Sequence, residues 1–178
     1  MSRAIVHEEV YEEYIAMLKE KCNQIKIGDP LEDDTRMGAL ISEQHLQSVD
    51  NFVKDTVAAG ATLLYGGERM TEGTCKNGPF YKPTLLGDVR PDMNVWKCEV
   101  FGPVLSVIRY RELDEAIRLA NDTVFGLGAN IFTENLKKAY WIAQKLNAGS
   151  VWVNLPNGMN MACPFGGNKN SGMLKSSL

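Results

Sequence analysis

Apolar residues return every fourth position at Val10, Tyr14, Leu18 and Cys22, with Ile15 beside them, and predict a helix over 7–24. Glutamates early in that segment and Lys19 and Lys21 late in it suit the helix dipole. Gly28-Asp29-Pro30 ends the element, and 31–37 reads as a polar loop. Ser42 is an N-cap candidate for a second helix, with Leu46, Val49, Phe52, Val53 and Val57 turned inward and Gly60 as the stop. A short strand over 61–65 stops at Gly66-Gly67, and 80–86 is a second extended run in which Pro83 argues for an edge or a break. Further on the pattern gives a strand over 104–110, a helix from Glu112, a strand over 125–132, a helix over 134–146 and a short strand at Val151–Val153. Everything after Asn154 is loop-like. Strands alternating with helices predict an α/β fold, a largely parallel sheet flanked by helices. Ligands collect at the carboxyl ends of such strands, and the loop after Val153 leaves one of them.

Composition changes this picture little. The 178 residues suffice for a real core, with 44% apolar and 23% charged residues. A net charge of −3 without a long run of one sign gives no footprint for nucleic acid or anionic membrane. No apolar run approaches transmembrane length. Cys22, Cys75, Cys98 and Cys163 are widely spaced without a CxxC pair, which suggests neither a zinc site nor a disulfide framework and suits a reducing, cytoplasmic compartment. With two histidines, His7 and His45, metal ligation and histidine-assisted nucleophiles have few candidates.

One stretch stands apart: Lys97-Cys98-Glu99-Val100-Phe101-Gly102-Pro103-Val104. In extended chain Glu99 and Phe101, two apart, point to one side, offering a carboxylate acceptor and a flat apolar wall to one ligand. Gly102 permits a close approach or sharp turn, and Pro103 fixes the exit into the strand. On the residues alone a second reading stands beside this one, a polar turn before a buried strand.

Glu99–Val104 resembles the E-[IV]-F-G-P signature of the NAD(P)-dependent aldehyde dehydrogenase superfamily. Tyr81-Lys82-Pro83-Thr84-Leu85 is similar to its Y-x-P-T-[LV] segment, and Leu119–Leu127 to its L-A-N-[DN]-T-x-[YF]-G-L. Ala148–Asn154 is similar to A-G-x-V-W-[VI]-N, and Pro164–Gly172 to P-F-G-G-x-K-x-S-G. The five segments occur in family order across nearly the whole chain.

This resemblance implies a partial aldehyde dehydrogenase catalytic domain over 1–172 with a divergent tail at 173–178. Ser2-Arg3 is similar to the S-R just after the family's nucleophilic cysteine, so the nucleophile, the general-base glutamate, the oxyanion-hole asparagine and the dinucleotide-binding domain are expected upstream. Cys98 and Cys163 do not match the nucleophile, so no catalytic residue is assigned and the chain alone is expected to be inactive. The parent would oxidise an aldehyde to a carboxylic acid with NAD or NADP. Glu99 would accept hydrogen bonds from the nicotinamide ribose hydroxyls and Phe101 would pack beside that ribose. Leu127 matches a leucine near the nicotinamide, against the plain reading of a buried strand leucine. His45 falls where the family often has a glutamine near the cofactor, against the plain reading of a solvated helix histidine. Phe165 matches an aromatic of the substrate tunnel, and Met159 lies in the variable loop that shapes it, against ordinary core packing.

Family resemblance also implies a homo-oligomer or association with a full-length homologue, and leaves a mitochondrial parent open beside the cytoplasmic one. A non-catalytic protein that keeps the fold and binds another subunit, or an incomplete piece of a longer gene, are the competing expectations. The aldehyde itself is not encoded here: Trp96 resembles a residue of betaine- and amino-aldehyde-oxidising members, and a single residue does not set a substrate.

Overall fold

The structure, a computed structural model, describes residues 2–155, 158 and 163–172. The chain divides into two units, the first running to Arg111 and the second starting at Glu112.

The first unit is built on a four-stranded sheet. Its strands are β1 (Arg3–His7), β2 (Thr62–Tyr65), β3 (Thr84–Gly87) and β4 (Val104–Tyr110), in the spatial order β1-β4-β3-β2. β1 and β3 each run parallel to β4, and β2 closes the far edge antiparallel to β3. β3 is buried along its whole length, as a strand between two neighbours with both faces covered must be. Of the two expectations for the 80–86 run, the break is what forms: Tyr81 makes only an isolated bridge to Arg69, the strand begins after Pro83, and it lies inside the sheet, not at its edge, so the proline costs the ladder no donor.

Two helices cover this sheet. α1 (Glu8–Gln24) follows β1 with no intervening turn, and the His7 ring nitrogen Nδ1 accepts the Glu9 amide as its cap. β1 is absent from the pattern reading because a five-residue strand feeding directly into a helix leaves no glycine or proline between them. The buried stripe of α1 is Tyr11 and Ile15, which pack on Ala4, Val6 and Val107; Tyr14 and Leu18 are partly buried against the same cluster. Val10, expected inside, is exposed, so the helix is turned by about one residue relative to the predicted face. α2 (Glu43–Ala58) starts where Ser42 predicts, the Ser42 hydroxyl accepting the His45 amide at 3.1 Å. It buries Leu46, Val49, Val53 and Thr56 and stops before Gly60.

In the second unit, α4 (Leu113–Asn121) and α5 (Leu136–Lys145) accompany two small sheets. The predicted strand over 125–132 is two strands: β5 (Phe125–Gly126) pairs antiparallel with β8 (Asn168–Lys169), and β6 (Gly128–Ile131) pairs parallel with β7 (Ser150–Val153). Side chains knit the segments together. Asn121 donates to the Lys145 carbonyl at the end of α5 and accepts the Asn147 amide, both at 2.8 Å. The Lys169 ammonium donates to the carbonyls of Asn121 and Thr123, and Ser171 Oγ accepts the Gly126 amide. With the Gly149 and Ser150 amides bonded to the carbonyls of Gly126 and Leu127, three of the segments singled out in the sequence are joined through Leu119–Leu127.

Candidate functional site

The organising stretch of the sequence lies in the first unit, between a short helix α3 (Asn94–Lys97) and β4. Val95 and Trp96 are buried and anchor its near end. Glu99 is exposed, Val100 is buried, and Phe101 is 73% exposed, but the stretch is not the plain extended segment its spacing suggested, because it turns at Phe101. A carboxylate and an uncovered aromatic ring thus flank a buried valine, and both line one cavity.

Phe101 has φ +52°, in the left-handed region that non-glycine residues rarely occupy. A conformation of this kind costs on the order of 1–3 kcal/mol and persists only where neighbours over-determine it. Three neighbours do so. The His45 ring, in the first turn of α2, donates from Nε2 to the Phe101 carbonyl at 2.8 Å. Gly102 lies so close to α2 that a Cβ there would fall 2.8 Å from Cγ2 of Val49. Pro103 gives its carbonyl to the Thr84 amide of β3 at 2.7 Å. The turn is thus clamped between helix and sheet.

In front of the turn is a cavity of about 540 Å³. Arg36, Leu40, Tyr81, Glu99, Phe101 and Pro103 are among its walls. The 36–40 wall is pinned by backbone bonds: the Arg36 amide to Lys26, the Gly28 amide to Met37, and the Leu40 amide to Pro79. Lys26 holds the intervening loop through ion pairs with Glu32 at 2.8 Å and Asp34 at 2.6 Å. Its ammonium draws the Asp34 carboxyl below the usual range. Nothing in the sequence pattern marked 36–40 as a cavity wall, because Arg36-Met37-Gly38-Ala39-Leu40 follows a polar loop and carries no helix or strand periodicity. Tyr81, fully buried at the base, donates to Asp50 Oδ1 at 3.1 Å; burial first, and the Asp50 carboxylate second, push its phenol well above the ordinary tyrosine range.

Glu99, Phe101 and His45 are thus brought together: the first two line the cavity, and His45, half-buried, is bonded to the backbone of the second. Leu127 and Phe165 belong to the second unit. Leu127 is exposed at the junction of β5 and β6, and its carbonyl accepts the Ser150 amide. Phe165 is half-buried beside Gly166. The glycines next to these two meet through Gly149, whose amide donates to Gly126 and whose Cα faces the Gly166 carbonyl. Met159 lies outside the described residues. Cys98 is an exposed thiol on the cavity wall, and Cys163 is exposed in the second unit. Among the described residues no group of three or more His, Cys, Asp or Glu could hold a metal ion, and no helix is long and apolar enough to cross a membrane.

Comparison with known proteins agrees with the segment-by-segment resemblance. The sequence profile of the aldehyde dehydrogenase family matches residues 1–177. An aldehyde dehydrogenase-like protein of Schizosaccharomyces pombe is 41% identical over 172 residues, which is 97% of this chain and 33% of that protein. The mitochondrial aldehyde dehydrogenase of Leishmania tarentolae is 39% identical, over 97% of this chain and 34% of its own. Among solved structures, betaine aldehyde dehydrogenase of Staphylococcus aureus in complex with NAD+ superimposes with a TM-score of 0.93 at 34% identity, covering 98% of this chain and 35% of that one. The NAD+ complex of an aldehyde dehydrogenase from Bacillus cereus gives 0.91 at 40% identity with the same coverage. The chain spans about a third of the length of these relatives. A profile match along nearly the whole chain, with the fold reproduced at this identity, places the chain in the aldehyde dehydrogenase family.

Proposed function

We propose that the cavity of the first unit holds the nicotinamide-ribose end of NAD or NADP, and that the chain is the corresponding part of an enzyme oxidising an aldehyde to a carboxylic acid. The observation that carries this is that Glu99 and Phe101, both exposed and two apart at a clamped turn, line one cavity of about 540 Å³. The residues fit the group. An exposed carboxylate can accept both hydroxyls of a ribose, and charge-assisted bonds of this kind are about twice as strong as neutral ones. The uncovered Phe101 ring supplies the flat apolar surface that a sugar face and its attached ring can cover. Solved relatives carry NAD+ in their complexes, which supports the choice of ligand.

When bound, the nicotinamide supplies the acceptor for a hydride. The contribution of Glu99 is to fix the ribose, and with it the distance and face of the ring it carries. Phe101 shields that ribose from water, and the clamp of His45, Val49 and Thr84 keeps the turn from relaxing. Leu127 and Phe165 of the second unit, and Met159 outside the described residues, keep only the roles that family resemblance implies, near the nicotinamide and in the aldehyde pocket, within a partial catalytic domain over 1–172. The nucleophile is not assigned to Cys98 or Cys163, neither of which matches the family's cysteine. The chain alone is therefore inactive toward aldehydes, in a cytoplasmic or mitochondrial parent that works as a homo-oligomer. Calorimetric titration of the purified chain with NADH tests the binding reading: saturable binding, lost or strongly weakened in E99Q, is expected, and heats that do not saturate contradict it. Formation of NADH from NAD+ and a panel of aldehydes by this chain would overturn the assignment of inactivity.

A second reading, a non-catalytic subunit that associates with a full-length homologue, is favoured by α5, where Leu136 and Tyr140 lie one turn apart and are each about two-thirds exposed. Co-purification with an intact family member would support it, and a monodisperse monomer would count against it.

A further inference from the structure

The geometry points to His45 as a positioning residue that acts on the nucleotide through the backbone of Phe101, holding that residue in its left-handed conformation. This rests on the reading that Glu99 and Phe101 grip the nicotinamide ribose. Four observations converge on it. The Phe101 carbonyl takes the His45 Nε2 proton at 2.8 Å, across 56 residues of sequence. That carbonyl belongs to a residue at φ +52°, which needs outside support. His45 itself cannot drift, because its amide is tied to the Ser42 hydroxyl at 3.1 Å in the first turn of α2. The next turn of the same helix presses Val49 against Gly102, so one helix fixes both residues of the bend.

Donation to a carbonyl requires the proton on Nε2, which sets the tautomer of the neutral ring. Releasing this bond lets Phe101 leave the left-handed region for an ordinary extended one. Its ring would then swing away from the cavity wall it now forms with Glu99, although neither side chain is altered. The reach of the donor matters more than the ring. A glutamine places an amide N–H at the same number of bonds from the backbone, whereas an asparagine falls one bond short.

The test uses the purified 178-residue chain labelled for NMR. In the wild type, long-range nitrogen correlation of the imidazole should show the Nε2-protonated form, and the Phe101 Cα and amide shifts should carry the left-handed signature. H45A and H45N should lose that signature and bind NADH about fivefold or more weakly, the loss expected for one hydrogen bond. H45Q should restore both. Thermal melts establish that each variant is folded, and H45N replaces H45A should the latter not fold. An Nδ1-protonated ring, or a left-handed Phe101 that persists in folded H45A or H45N, would overturn the proposal. So would weakened NADH binding with the Phe101 signature unchanged, since that outcome means His45 touches the nucleotide directly. If the wild type does not bind NADH at all, the ribose reading fails by itself, while loss of the Phe101 signature in H45N and its return in H45Q still establish the brace.

Discussion

Gly102 lies so close to Val49 that a Cβ on the glycine would fall 2.8 Å from Val49 Cγ2. Val49 is fully buried on α2, and its β-branched side chain has one strongly preferred rotamer in a helix, so it cannot rotate out of the way. A methyl group at Gly102 would have to push α2 off the turn. G102A is therefore expected to destabilise the first unit by about 1–3 kcal/mol, the usual cost of overpacking. It should also weaken NADH binding, because the turn carries Phe101. Chemical denaturation of both proteins checks the first effect; an unchanged midpoint would mean that the bend has slack.

Gly149 makes the corresponding prediction for the second unit. A Cβ there would land on the Gly166 carbonyl oxygen, which is backbone and cannot swing aside. G149A should therefore separate the β6–β7 pair from the segment at Gly166–Gly167. Amide exchange of Gly126, Ser150 and Asn170 should accelerate well beyond that of Val49 and Val107 in the first unit. Uniform protection across the second unit would contradict this.

Tyr81 predicts an alkaline limit. Its phenol ionises near pH 10 in the unfolded chain, and burial beside Asp50 raises it in the folded protein. The folded state then holds a proton that the unfolded state has released. The stability this supplies is complete below about pH 10 and is lost above it, at about 1.4 kcal/mol per pH unit until the folded phenol itself ionises. Y81F should remove this portion of the slope while costing about 1 kcal/mol at neutral pH, the worth of the bond to Asp50. Asp50 keeps Lys54 as a partner at 2.6 Å, so its charge is not stranded. Stability measured from pH 9 to pH 11 distinguishes the two proteins. Tyr11, Tyr14 and Tyr110, whose phenols are also raised, leave a residual slope in Y81F.

The sequence disclosed the helices better than the strands. Ser42 and Gly60 bracket α2 because a side-chain cap and a left-handed stop are local chemistry. β1 was hidden by its direct fusion to α1, and the split at Leu127 was hidden because 125–132 is continuously extended-compatible. Of the candidate site, Glu99 and Phe101 were singled out by family resemblance; the extended geometry read from their spacing fails at the left-handed Phe101. The link from His45 to Phe101 was not legible, since no periodicity relates residues on a helix turn to a loop 56 residues later. The wall at 36–40 was likewise invisible, because its place is set by bonds to Lys26 and Pro79 and not by apolar pattern.

Removing only the charge at Glu99 separates its role from packing. E99Q keeps the shape but turns a double acceptor into an amide. NADH affinity should fall by roughly tenfold or more, as expected for loss of a charge-assisted bond to the ribose. The melting temperature should not change, because Glu99 is exposed and has no ion-pair partner within 4.0 Å among the described residues. Equal affinity in the two proteins would remove Glu99 from the site.

Whether one end of a nicotinamide nucleotide sits against the turn at Glu99 and Phe101 is decided by following the backbone amides of the chain in an NMR titration with NADH. Saturable shifts should concentrate at Gly38, Leu40, Glu99, Phe101 and Gly102, all of which line the cavity. Saturable shifts that leave these five amides unmoved would contradict the account.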